Sequence, residues 1–291
     1  MNNNVQKVAA IHDLSGYGRA SLTVVIPTLS SMGIQVCPLP TAVLSNHTGG
    51  FETYSYVDLT DSMEDYIDRW KQIGIDFDCI YSGYLGSKRQ IDIVSCFIDD
   101  FKREDTLVVI DPVMADNGAL YASFTWDFVS LMQQLIQKAD IITPNYTEAC
   151  FLLGKKECPG SIEQEECKAW LKALSDMGPE IVVMTSVPDA EHKEYTNVMA
   201  YDRKRNVYWK LMCHYIPAHY PGTGDTFTSV MIGKLLQKES LPVALDYAVQ
   251  FISQCIKASF GFDYPKREGV LLERQLRFLY SYPIISDFEE I

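Results

Sequence analysis

Six runs of three to five apolar and β-branched residues, separated by segments of helical periodicity, set the tightest limit on what this chain can fold into. The runs are Val8 to Ile11, Gln35 to Leu39, Cys79 to Ser82, Leu107 to Ile110, Ile141 to Thr143 and Ile181 to Thr185. They are too apolar for a one-sided sheet and read as buried parallel strands. Between them, apolar residues recur with helical spacing at about 19–32, 60–74, 87–103, 125–138, 145–154 and 161–176. Strand alternating with helix predicts an α/β fold with a doubly wound sheet. After Thr196 the pattern changes: Val198 to Tyr201 and Val207 to Leu211, joined by the polar Asp202-Arg-Lys-Arg-Asn206, predict a β-hairpin with a solvated tip. Two helices follow at about 224–238 and 242–260, the second with Pro242 suited to a helix start. No repeat, linker or low-complexity tract interrupts the 291 residues. A single domain over 1–291 is expected, since α/β chains commonly reach about 250 residues as one unit.

Composition narrows the partners. With 25 Lys+Arg against 38 Asp+Glu the formal charge is −13, which disfavours a nucleic-acid partner that would need clustered basic groups. No uncharged apolar run approaches the roughly 18 residues needed to span a bilayer, and Met1-Asn-Asn-Asn-Val5 has neither a basic nor an apolar leader region. Eight cysteines are scattered without a CxxC pair, several in strand-like or helix-like runs, and read as packed thiols in a reducing compartment. A cytoplasmic location with no membrane partner is the expectation.

The most informative motif is Pro221-Gly-Thr-Gly-Asp-Thr-Phe227, whose small residues lead into an apolar face of Phe227, Val230, Met231 and Leu235. A helix is predicted to begin near Asp225, and the backbone N–H groups at its start, with the helix dipole, suit an anion such as a phosphoryl group. Asp225 fits equally an ordinary first-turn carboxylate. Asp111-Pro-Val-Met114 closes a strand and so places Asp111 at the sheet edge where open α/β sheets bind ligands, although Asp-Pro is also a plain strand-ending turn. The polar loop to about Ser123, with Asp116, Asn117 and Gly118, suits a mobile segment. In Thr143-Pro-Asn-Tyr-Thr-Glu148, Asn145 and Glu148 sit three apart on one helix face. Such oxygens can hold the water shell of Mg²⁺, or form a capping box. His12-Asp-Leu-Ser-Gly-Tyr-Gly18 fails as a dinucleotide fingerprint because Ser21 stands where a third glycine belongs, and no phosphate P-loop occurs.

Taken in order, Ser15-Gly-Tyr-Gly18, Ser45-Asn-His-Thr-Gly49, Ser82-Gly-Tyr84, Asp111-Pro-Val-Met114, Thr143 to Glu148, Thr185-Ser186 and Gly222-Thr-Gly-Asp225 resemble the ribokinase-like vitamin kinases, the pyridoxal kinase branch above all. The resemblance spans about residues 7–260 and implies a ribokinase-like three-layer fold with a central, mostly parallel sheet flanked by helices. It implies ATP-dependent phosphorylation of the 5′-hydroxymethyl group of pyridoxal, pyridoxine or pyridoxamine. Asp225 would then take the hydroxyl proton, and the backbone of Gly222, Thr223 and Gly224 would form an anion hole. Ser15, Thr48 and Tyr84, with His47 beside them, match positions that contact the pyridine ring. Asn145 and Glu148 would serve Mg²⁺-ATP, Asp111 and Asp116 would approach the phosphates or their cations, and Thr185 and Ser186 would contact the nucleotide. Asp111, Thr143 and Thr185 could also hold K⁺, and a homodimer is implied.

Related hydroxymethylpyrimidine kinases usually carry cysteine at the position of Asp225 and lack SNHTG. Leu44, where many relatives have an aromatic, and Ala115, in place of the usual glycine, depart from the pattern and bear on substrate choice and lid motion. The alternatives are a hydroxymethylpyrimidine or sugar kinase of the same fold, or a vitamin-binding protein without turnover.

Overall fold

The computed structural model describes residues 5–216, 218–280 and 288–291; Met1 to Asn4, read above for a leader, lie outside the described residues. In chain order the elements are β1 (Lys7–Ser15), α1 (Leu22–Ser31), β2 (Gln35–Leu44), β3 (Tyr56–Asp58), α2 (Thr60–Ile73), β4 (Cys79–Ser82), α3 (Lys88–Phe101) and β5 (Leu107–Ile110). A small hairpin, β6 (Ala115–Asp116) and β7 (Ala119–Leu120), leads to α4 (Trp126–Leu135), β8 (Ile141–Ile142), α5 (Tyr146–Leu152) and α6 (Gln164–Asp176). Then come β9 (Ile181–Pro188), β10 (Tyr195–Asp202), β11 (Val207–His214), α7 (Thr223–Leu236), α8 (Leu241–Phe260) and β12 (Phe288–Glu290).

Ten strands form one sheet in the order β12-β11-β10-β9-β8-β5-β4-β1-β2-β3. The six from β9 to β2 are parallel, and antiparallel strands finish both sides. This is the three-layer, mostly parallel architecture expected from the strand and helix alternation. The alternation within β1 shows why its run is continuously apolar: Ala9 and Ile11 pack with helices α2 to α6 on one face, whereas Val8 and Ala10 pack with α1, α7 and α8 on the other. Both faces are dry, so neither can carry polar side chains. The helices supply matching stripes. In α3, Ile91, Val94, Phe97, Ile98 and Phe101 are buried on one face, while the Ser87 hydroxyl caps its first turn by accepting from Gln90 N–H.

The chain order reverses at β1, which pairs with β2 on one side and β4 on the other. The carboxyl ends of strands flanking such a reversal open into a crevice, where ligands of open α/β sheets bind. The register of β1 against β2 slips by one residue between His12 and Leu14 and resumes with Leu14 opposite Val43 and Ser15 opposite Leu44, so Asp13 sits at an irregularity of the strand beside that crevice. Three further features differ from expectation. β3, β12 and the β6–β7 pair are too short, at three, three and two residues a strand, to leave a period in the sequence. Helix α7 starts at Thr223, so Asp225 lies inside its first turn rather than at its threshold. The hairpin predicted after Thr196 is present and longer, with Tyr195 opposite His214. Among the described residues no helix is long and apolar enough to cross a membrane, and all eight cysteines are free thiols.

Candidate active site

The crevice is built from strand ends meeting one helix start. Gly222 precedes α7 with φ 76°, and a Cβ there would lie 2.1 Å from the Arg19 carbonyl oxygen. Only glycine tolerates both the left-handed backbone and that approach, so the start of α7 is seated against residues 19–21. The first N–H groups of α7 have no partner within the helix, and the turn that carries them lies near the Asp111 end of β5. Gly224 opens the same turn toward β5: a Cβ there would lie 3.9 Å from Asp111 Oδ2. Thr223 folds back, its hydroxyl donating to Tyr220 O at 3.1 Å.

Asp225 projects from this turn into the interior. Its Oδ2 accepts the Ser21 backbone N–H at 2.8 Å, and its Oδ1 faces His12 Nδ1 at 3.7 Å. Burial pushes its carboxyl up to about 6, against the Ser21 N–H that favours the charged form and with the neighbouring Asp13 charge adding to the rise. His12 is wholly buried, edge-on to Tyr81 with ring centroids 4.4 Å apart, and neither ring nitrogen has a hydrogen-bond partner. Burial lowers its pKa to about 3, so the imidazole is neutral and supplies no counter-charge.

Asp13 is the residue that sequence reasoning missed. It is buried at the register shift of β1, and its carboxylate accepts from the hydroxyls of Ser15 (2.9 Å) and Ser21. His47 and Tyr84 lie within electrostatic reach of it. A carboxylate closing an apolar run was the available signal, masked by attention to the glycines of Ser15 to Gly18. Ser15 is buried beside it, and its proton is committed to Asp13, leaving its oxygen to accept. His47 is held by two bonds: Gly49 N–H donates to Nδ1 at 3.1 Å, so Nε2 carries the proton toward Arg267 O at 2.6 Å. Gly18 sits against that ring, where a Cβ would come within 2.5 Å. Tyr84 is half-buried, its ring 5.7 Å from Phe124. Thr48, by contrast, is exposed, whereas Ser15 is bonded to Asp13 and Tyr84 lies within electrostatic reach of it.

The second half of the crevice lies at the ends of β5, β8 and β9. Asp111 is buried and accepts the Thr143 hydroxyl, which in turn accepts from Thr228 at 3.2 Å. Burial and the charges of Glu148 and Asp225 raise its pKa well above the ordinary value. Thr185 N–H donates to Pro144 O, which ties β9 to the Thr143-Pro-Asn segment, and Ser186 follows exposed with φ 57°. Between the two readings of Asn145 and Glu148, the capping box is present. Asn145 Oδ1 accepts from Glu148 N–H at 2.9 Å and Glu148 Oε2 from Asn145 N–H at 2.8 Å. Glu148 Oε1 also accepts from Met114 N–H at 3.0 Å, so both its oxygens are engaged, and burial raises its pKa. The loop expected to be mobile is instead pinned here. Asn117 and Gly118 form the left-handed turn of the β6–β7 hairpin, Gly118 N–H donates to the Thr147 hydroxyl at 3.0 Å, and Asn145 Nδ2 donates to Ala115 O at 2.8 Å. Asp116 is partly exposed, with Asn117 donating to both of its oxygens. Phosphoryl chemistry suits the whole: the open N-terminus of a helix with its dipole, one partly buried carboxylate in its first turn, and a group of polar side chains around Asp13 on the far side.

Residues 18–268 match the family model described as phosphomethylpyrimidine kinase. A Bacteroides thetaiotaomicron protein provisionally described as a phosphomethylpyrimidine kinase, crystallised with pyridoxal, is 56% identical with a TM-score of 0.96, over 99% of this chain and 100% of that one. Pyridoxal kinase from Lactobacillus plantarum is 30% identical with a TM-score of 0.86, over 95% and 97% of the two chains. Human pyridoxal kinase is 27% identical over 90% of this chain and 89% of its own.

Because the Glu148 carboxylate joins α5 to the Met114–Ala115 backbone, Glu148→Gln sets an amide N–H₂ against backbone N–H groups. We expect a stability loss of about 1–3 kcal/mol in urea unfolding; an unchanged midpoint would show that the carboxylate is not a structural tie.

Proposed function

The chain belongs to the phosphomethylpyrimidine kinase family, and from that premise we propose that it transfers the γ-phosphoryl group of ATP to the 5′-hydroxymethyl group of pyridoxal, pyridoxine or pyridoxamine. The observation that carries this reading is the partly buried Asp225 carboxylate in the first turn of α7, set between Ser21 and Asp13 on one side and Asp111 and Thr143 on the other. The 56%-identical relative crystallised with pyridoxal supports the choice of ring, and Asp225 with SNHTG argues against the hydroxymethylpyrimidine alternative.

In the proposed reaction the vitamer hydroxyl gives its proton to Asp225, its oxygen forms a bond to the γ-phosphorus, and the bond from that phosphorus to the β–γ bridging oxygen breaks as ADP leaves. Charge that builds on the γ-oxygens falls on the N–H groups of Gly222, Thr223 and Gly224, which are fixed in advance by the seating of Gly222 against Arg19. Ser15, His47 and Tyr84 hold the ring. Thr48, exposed in this conformation, joins them on closure of the 45–55 loop over the substrate. Asp111, Asp116, Asn145, Thr185 and Ser186 line the nucleotide side.

Magnesium belongs here as part of the nucleotide. Glu148 does not fit a direct ligand, since its oxygens are taken by backbone N–H groups, and among the described residues no three His, Cys, Asp or Glu side chains converge as a metal site. Glu148 nevertheless lies within electrostatic reach of both Asp111 and Asp116, with burial raising Asp111 and Glu148. A hydrated Mg²⁺ arriving with ATP relieves that crowding and neutralises phosphate charge. K⁺ at Asp111, Thr143 and Thr185 is proposed on the same ground. A single cytoplasmic domain of residues 1–291, working as a homodimer, completes the proposal.

Two outcomes test it. Asp225→Asn keeps the side-chain shape but cannot take the proton, so kcat should fall about 10²- to 10⁴-fold while ATP and pyridoxal still bind; activity within a few-fold of the parent would reject Asp225 as base. A pocket whose hydroxyls are matched to a hydroxypyridine leaves them unpaired on a pyrimidine, at about 1–3 kcal/mol each. In side-by-side assays kcat/KM for pyridoxal should therefore exceed that for hydroxymethylpyrimidine at least tenfold, and the reverse order would replace the substrate while keeping the kinase.

A further inference from the structure

Ser21 stands at the amino end of α1, where a serine ordinarily turns its hydroxyl onto the first helical N–H groups. Here it makes no side-chain cap, and it adopts φ 53°, a left-handed conformation uncommon outside glycine. Two local advantages are given up at one residue. What they secure is visible in its bonds: the hydroxyl donates to Asp13 Oδ1, and the backbone N–H, turned by that same strained conformation, donates to Asp225 Oδ2 at 2.8 Å. Asp13 is itself fixed, buried at the end of β1 with its other oxygen accepting from Ser15.

We infer that Asp13 and Ser21 form a positioning relay for Asp225: the Asp13 carboxylate anchors the Ser21 hydroxyl, and this holds the Ser21 N–H on Asp225 Oδ2. The inference rests on Asp225 acting as the base. The relay fixes the carboxylate so that its free oxygen, Oδ1, is the one left to receive a proton. It also links the two halves of substrate recognition, because the Asp13 oxygen that does not hold Ser21 orients Ser15 in the ring pocket. Among the described residues no side chain is hydrogen-bonded to either oxygen of Asp225. Facing Asp225 are His12 at 3.7 Å from Oδ1, too far for a hydrogen bond, and Tyr81, Asp111 and Tyr121, which act on it or are acted on only through their charge. Displacing a reacting group by about 1 Å is enough to cost on the order of 100-fold in rate.

A double-mutant cycle on the full-length enzyme tests this, read as kcat at saturating ATP and pyridoxal. Ser21→Gly removes the hydroxyl while keeping the backbone conformation accessible, and Asp13→Ala removes the anchor. Each should lower kcat at least tenfold with KM for ATP unchanged, and the double variant should be no slower than the slower single one, since both break one bond. Losses that multiply in the double variant, or an Asp13→Ala kcat within twofold of the parent, would overturn the relay. Should Asp13→Ala not fold, Asp13→Asn replaces it in the same cycle, with a smaller loss and the same non-additivity expected. Asp225→Asn, assayed alongside, separates the two levels of the argument. If it is inactive and the cycle is additive, only the relay is wrong, whereas near-parental turnover in Asp225→Asn removes the base reading and the relay with it.

Discussion

The close approach of Gly222 to the Arg19 carbonyl governs the rest of this site. It brings the start of α7 against the segment that follows β1, and so sets the first turn of α7 and Ser21, at the start of α1, within one hydrogen bond of each other. Everything chemical in the crevice is measured from that seam. Ser21 N–H reaches Asp225 across it, Asp111 approaches Gly224 from the adjoining strand end, and the Asp13 pocket opens on the other side. Burying a carboxylate without a cation beside it is unfavourable, which is why Asp225 is raised; one N–H bond and a helix N-terminus compensate in part.

The same electrostatic economy runs through the nucleotide side. Asp111 and Glu148 are buried acids, and Glu148 is satisfied wholly by backbone N–H groups of α5 and of the Met114–Ala115 turn. The capping box is thus a structural device that also shapes the ligand crevice, by fixing the β6–β7 hairpin and with it Asp116. Of the two readings of Asn145 and Glu148 that sequence spacing left open, the capping box is the one the structure shows, with both carboxylate oxygens of Glu148 taken by backbone N–H groups.

How much of this was legible beforehand follows from the physics of each part. Strands buried on both faces leave continuous apolar runs, so β4 and β5 could be bounded to the residue from sequence, and the amphipathic stripes of α2 and α3 fell within a residue or two. Edge strands of two or three residues carry no period and were invisible. The start of α7 was placed late because Gly222 and Gly224 suppress the helical signal that Thr223 in fact begins. At the site, the motif residues Asp225, Ser15, Tyr84 and Asp111 do converge, while Thr48 faces solvent. Asp13 and Ser21 were missed for a different reason: their significance lies in a bond between residues eight apart and in a positive φ, neither of which any local pattern encodes.

The central claim is that one partly buried carboxylate, Asp225, must be ionised for turnover. The most direct test is kcat/KM for the vitamer against pH, which titrates the enzyme before the vitamer binds, repeated with pyridoxal, pyridoxine and pyridoxamine so that titration of the substrate itself is separated from that of the enzyme. Burial that raises Asp225 to about 6 predicts an acid limb with its midpoint near pH 6 common to all three vitamers, kcat/KM falling toward tenfold for each further pH unit below it. A kcat/KM that stays level from pH 5 to 8, or a midpoint that moves with the vitamer, would contradict the account.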